Sequence, residues 1–127
     1  RELAWAVAGH PAPLSLPELE AFQAPGRTLL LGVDSELALS TLRVRLDPGG
    51  GVFTYTDGAT DVRDDDGSTL GEAGLHALLE PLARMDANRL VAGAERAILD
   101  WSTTPIKDDL CLLAMRPVGA SRREPMF

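Results

Sequence analysis

Across residues 42–46, LRVRL, apolar and charged side chains alternate strictly, with Leu42, Val44 and Leu46 on one face and Arg43 and Arg45 on the other. A period of two marks a half-buried strand. The following DPGGG places a proline and glycines where a turn needs them, and VFTYT is rich in β-branched and aromatic residues, so the two segments predict a hairpin. Upstream, ELAWAVAGHPAPLSL reads as two extended segments around a turn at Gly9 and Pro11, a second hairpin. Between them, PELEAFQAPGRTLLLGVDSEL predicts loop with one short buried strand from Leu29 to Val33.

After residue 67 the period changes to about 3.6. Thr69 and Glu72 have the spacing of a capping box, and Leu75, Leu78, Leu79 and Leu82 form an apolar stripe, which predicts a helix from about Leu70 to Arg84. Asp86 is placed to cap a second helix, whose face is Leu90, Val91, Ala94, Ala97, Ile98 and Trp101. LCLLAM, Leu110 to Met115, is apolar enough for a strand buried on both faces or in the middle of a sandwich, and residues 118–127 read as a flexible tail. Strands, then two antiparallel helices, then a last strand make the class α+β, with helices on one face of an antiparallel sheet.

Composition narrows the partners. With 127 residues and 45% hydrophobic content, the chain builds one core. A net charge of −7 argues against nucleic acid and anionic lipid as partners, and the apolar runs are too short to span a membrane. The one cysteine, Cys111, fits a small buried hydrophobe in a reducing compartment. The first residues, RELAWAVAGH, lack an initiator Met and a leader pattern, as in a piece of a longer protein.

The acidic stretch FTYTDGATDVRDDDG holds the candidate chemistry. Alternation puts Asp57 on the face of Phe53 and Tyr55, at the carboxyl end of the strand, with Gly58 turning the backbone away. The plain alternative is an Asp-Gly turn former. Asp108 and Asp109 stand at the entry of the last strand, so neighbouring strands would bring Asp57 and Asp108 together. Such carboxylates suit Mg²⁺ or Mn²⁺, and neither Cys111 nor His10 and His76 falls at zinc spacing. A calcium-loop reading fails at both ends, with Val62 first and Ala73 twelfth. Asp61, Asp64, Asp65 and Asp66 are then solvated loop residues. His10 reads as structural and His76 as exposed.

The succession AGHPAPL, LLLGV, LDPGG, TYTDGATDVRDDDGSTLG and KDDLCLLAMRP resembles the carboxyl-terminal half of bacterial metal-dependent protein serine/threonine phosphatases of the PP2C type. It is most similar to the sporulation-stage-II-E and sigma-factor-regulator branch. The resemblance implies a partial PP2C-like β-sandwich flanked by helices in α-β-β-α layers, formed by residues 1–117. It also implies two Mn²⁺ or Mg²⁺ ions, with Asp57 and Asp108 as metal ligands and Asp109 as a weaker candidate. Family chemistry is hydrolysis by water activated on the two cations, with no phosphoenzyme. The family's Asp-x-x-Gly-His-Gly element, source of a bridging aspartate, is absent from this sequence. Its PGD is PGG here, and its Arg before the paired aspartates is Lys107.

The resemblance implies a cytoplasmic phosphatase acting on a phosphorylated anti-sigma-factor antagonist, the chain alone being inactive for want of that aspartate. The alternatives are a truncated, non-catalytic interaction or regulatory module, and a plain binding sandwich with an incidental acidic loop. An uncovered apolar face would favour association as a homodimer.

Overall fold

The computed structural model describes residues 1–23, 29–36 and 39–118. Five strands and two α-helices lie among them, β1 (Glu2–Trp5), β2 (Leu14–Leu16), β3 (Leu42–Arg45), β4 (Gly51–Tyr55), α1 (Gly71–Leu79), α2 (Ala87–Trp101) and β5 (Leu112–Met115). β1 and β3 pair antiparallel in a two-stranded sheet, while β4 lies between β2 and β5, antiparallel to both. The class is α+β, as the order of periodicities predicts.

Burial follows strand composition. β3 keeps its alternation, with Leu42 and Val44 half-buried and both arginines exposed. β4 is central and apolar on both faces, so Val52, Phe53 and Tyr55 are all buried. Opposite Phe53 and Tyr55, Ala114 and Leu112 of β5 complete the face that meets the helices. There Phe53 packs in one cluster with Leu75 and Leu79 of α1 and Leu90, Ala94 and Ile98 of α2. The last three recur every four residues, on one helix face. Asp86 caps α2, its Oδ1 accepting the Arg89 amide at 2.9 Å.

Neither expected hairpin forms. The DPGGG turn does close, with Gly50 N donating to Asp47 O at 2.9 Å and Gly49 at φ 84°. The strands it joins then part, β3 to β1 and β4 to β2 and β5. β1 and β2 likewise enter different sheets. A strand with two apolar faces gains most between two neighbours under the helices, whereas β3 has one such face to cover. Trp5 of β1 meets Phe22 beyond β2, ring centroids 4.8 Å apart.

Several local expectations are also corrected. Leu29–Val33 is no buried strand, because Leu30, Leu31 and Val33 are 58%, 70% and 66% exposed and a turn closes there from Val33 N to Leu30 O. β5 is an edge strand half-buried on one face, with Leu113 and Met115 48% and 39% exposed, and Cys111 is exposed rather than a core residue. Thr69 makes no capping bond. The Leu70 and Gly71 amides instead donate to the carbonyls of Val62 and Thr60, at 3.0 and 2.8 Å, so backbone satisfies what the box would have. α1 stops at Leu79 and continues as a 3₁₀ turn, Glu80–Leu82, where Pro81 has no amide to donate. Most of the predicted tail, residues 119–127, and parts of the predicted loop, 24–28 and 37–38, lie outside the described residues.

Candidate functional site

The register pairs Tyr55 with Leu112, which sets the carboxyl end of β4 beside the amino end of β5. Just past Tyr55, Thr56 joins the two segments. Its amide donates to Cys111 O at 3.1 Å, its hydroxyl donates to Asp109 O at 2.7 Å, and its Oγ1 accepts the Cys111 amide at 2.9 Å. Two residues on, Gly58 is buried so closely against this segment that a Cβ would stand 2.4 Å from Asp109 O. Only glycine fits there without displacing backbone.

Asp57 thus stands between the two residues that touch the Asp109 carbonyl, and Asp108 is one residue away on the other side. Asp57 lies outside the strand, at the start of a 3₁₀ turn, Asp57–Ala59, so the face of Phe53 and Tyr55 does not set its direction. Its carbonyl accepts the Thr60 and Asp61 amides, both at 2.9 Å. Asp57, Asp108 and Asp109 are exposed, and Asp108 Oδ1 accepts the Asp109 amide at 2.8 Å.

A cleft of about 220 Å³ opens beside this junction, with Gly58, Asp61, Arg63, Lys107 and Asp108 in its walls. Asp61 is exposed, as expected of a solvated loop residue, and also lies in the wall of this cleft. Asp64 is not simply solvated. It is half-buried, and its Oδ1 accepts the Asp66 and Ser68 amides at 3.0 and 2.9 Å, closing the acidic loop on itself. Asp65 and Asp66 are exposed as expected.

The loop after Asp57 is braced from both helices. The Thr60 and Val62 carbonyls hold the start of α1, and the Arg63 carbonyl accepts the Thr103 amide and the Ser102 and Thr104 hydroxyls at 3.2, 3.3 and 3.3 Å. These contacts escaped the sequence because backbone carbonyls carry no residue signature. His76 is exposed on α1, and exposed His10 has Nδ1 3.0 Å from Pro11 O. Neither histidine lies in the walls of the site cleft.

A profile of the Stage II sporulation protein E (SpoIIE) family matches residues 1–118. The chain belongs to the SpoIIE family. Solved structures of PP2C-type domains share its fold. The SiaA-PP2C domain of Pseudomonas aeruginosa matches at a TM-score of 0.76 and 22% identity, over 93% of this chain and 47% of that one. The PP2C phosphatase domain of SpoIIE from Bacillus subtilis, with a fragment of its regulatory domain, matches at 0.70 and 12%, over 89% and 33%. The RsbU and RsbW domains of a Mycobacterium tuberculosis protein match at 0.66 and 24%, over 89% and 31%. None of the curated proteins compared with it matches.

At such identities the likeness is one of fold, part of the PP2C phosphatase fold, and this SpoIIE-family chain spans about half of those solved chains or less. Asp57 and Asp108 suit a hard cation chemically, since each offers an exposed carboxylate and the junction fixes their backbones together. Their number falls short of the about six oxygen ligands such an ion takes. Among the described residues, no three His, Cys, Asp or Glu side chains converge to hold a metal. No described helix is long and apolar enough to cross a membrane.

Proposed function

We propose that this SpoIIE-family chain contributes Asp57 and Asp108 as ligands for Mn²⁺ or Mg²⁺ in a two-metal protein serine/threonine phosphatase. The observation that carries the reading is the junction at Thr56, Gly58 and Asp109. It holds the backbones on either side of Asp57 and Asp108 together at one end of the three-stranded sheet, although the two residues are far apart in the chain. Bound divalent cations would supply Lewis acidity, which ionises water near neutral pH and offsets phosphoryl charge. The chain's own part is to anchor those cations through Asp57 and Asp108, while Lys107, in the cleft wall beside Asp108, draws in a phosphate dianion. Asp109, tied through its carbonyl to Thr56, positions Asp108 and is the weaker ligand candidate. The bridging aspartate would come from an Asp-x-x-Gly-His-Gly element outside this sequence.

The substrate class that fits is a protein phosphoserine or phosphothreonine, in cytoplasmic signalling through an anti-sigma-factor antagonist. Support for that substrate is the family resemblance, and support against nucleic acid as a partner is the net charge of −7. In the full-length protein, Mn²⁺-dependent hydrolysis of a phosphoserine peptide is expected. Asp57→Asn and Asp108→Asn should each lower kcat/KM by on the order of 100-fold and weaken Mn²⁺ binding. Wild-type rates in both variants would remove the ligand assignment. The short donor set favours one second reading, a non-catalytic regulatory module, which requires a phosphoprotein to bind the full-length protein without turnover.

A further inference from the structure

A second cavity, of about 340 Å³, lies between α1 and the segment around β2, with Leu14, Leu19, Leu75, Tyr55, Glu72 and His76 among its walls. Its chemistry is uneven. The leucines are buried members of the core cluster, so the floor is apolar. Glu72 and His76 stand one turn apart on α1, both exposed, at the rim. Tyr55 links the two, a core side chain only 5% exposed that also reaches the cavity wall.

Tyr55 is an unusual wall. Its side chain belongs to the core cluster, yet its hydroxyl is not among the buried polar atoms that lack a partner. Among the described residues no group bonds that oxygen, so it meets water at the cavity wall, and a ligand that displaces this water must answer it. The wall also has a sign, since Glu72 is a carboxylate and no Lys or Arg stands among the described lining residues. An anion would meet Glu72 and be repelled. A neutral apolar ligand would leave the Tyr55 oxygen unanswered. A cation on a short hydrocarbon stem satisfies both, because an ammonium donates to the phenol oxygen and the carboxylate while its stem lies on leucine.

We propose that this cavity is a binding site for a primary alkylammonium group, its stem against Leu14, Leu19 and Leu75 and its charge between the Tyr55 hydroxyl and Glu72. The group reaches it either as a lysine side chain or as a free amine of the polyamine type. The site is separate from the carboxylates of the proposed metal centre and does not depend on that reading.

Titration of the full-length protein with cadaverine, Nα-acetyl-lysinamide and 1-pentanol, followed by amide NMR shifts of residues 72–76, tests it. Saturable binding of an amine at about 1 mM is expected, with 1-pentanol weaker by roughly tenfold or more. Saturation by Nα-acetyl-lysinamide alone identifies a lysine side chain as the source, and saturation by cadaverine identifies a free amine. Glu72→Gln and Tyr55→Phe should each weaken amine binding several-fold while shifts elsewhere stay in place. Equal binding of 1-pentanol, no saturable amine binding, or unchanged affinity in either variant overturns the assignment.

Discussion

Gly58 shows how much one missing side chain decides. Its absent Cβ is what lets the turn after Asp57 rest on the Asp109 backbone. Gly58→Ala must push the two segments apart, and a loss of about 1–3 kcal/mol in urea unfolding is expected, as for other overpacked buried positions. The Asp-Gly pair was legible in the sequence as a turn, but the reason for glycine was not, because the atom it avoids belongs to a residue far along the chain. Tyr55 makes a second residue-scale prediction. Its folded pKa is raised above the ordinary 10.0 by burial and then by Glu72. The unfolded chain therefore loses the phenol proton first, and stability, full below pH 10.0, falls as pH rises from there through the folded value. Stability measured from pH 9 upward should fall less steeply in Tyr55→Phe, and an identical profile would count against the raised Tyr55 pKa.

At the scale of elements, the two helices behave differently at their starts. α2 is capped as its sequence reads, so Asp86→Ala should cost about 1 kcal/mol in thermal or urea unfolding. α1 is not, because Gly71 takes a φ of 67° and the first amides are held by Thr60 and Val62 carbonyls. Thr69→Ala should then change stability by less than about 0.5 kcal/mol, as at an ordinary surface position. A loss in Thr69→Ala as large as in Asp86→Ala would reinstate the capping box. Helix faces were readable because their spacing is local: Leu90, Ala94 and Ile98 are buried where the period placed them. Strand partners were not, because LRVRL and VFTYT each look like half of a hairpin, and nothing in either says that β4 takes β2 and β5 as neighbours.

For the whole molecule, the limiting quantity is the number of ligands one chain brings to the site. With no convergence of three metal-binding side chains among the described residues, the 127-residue chain alone should bind Mn²⁺ weakly and turn over no phosphopeptide. A tight, stoichiometric Mn²⁺ isotherm on it would contradict this. The sequence by itself determined the α+β class, both helices and their buried faces, and the Asp86 cap, since each of these rests on local spacing or a short motif. Tertiary structure alone decided that β3 and β4 part into different sheets, that Leu29–Val33 stays on the surface, and that Asp61 faces the site cleft. It alone set Tyr55 at an apolar cavity with a negative rim. Each of these depends on which distant backbone a segment meets, and sheet pairing between residues far apart in the chain leaves no period to read.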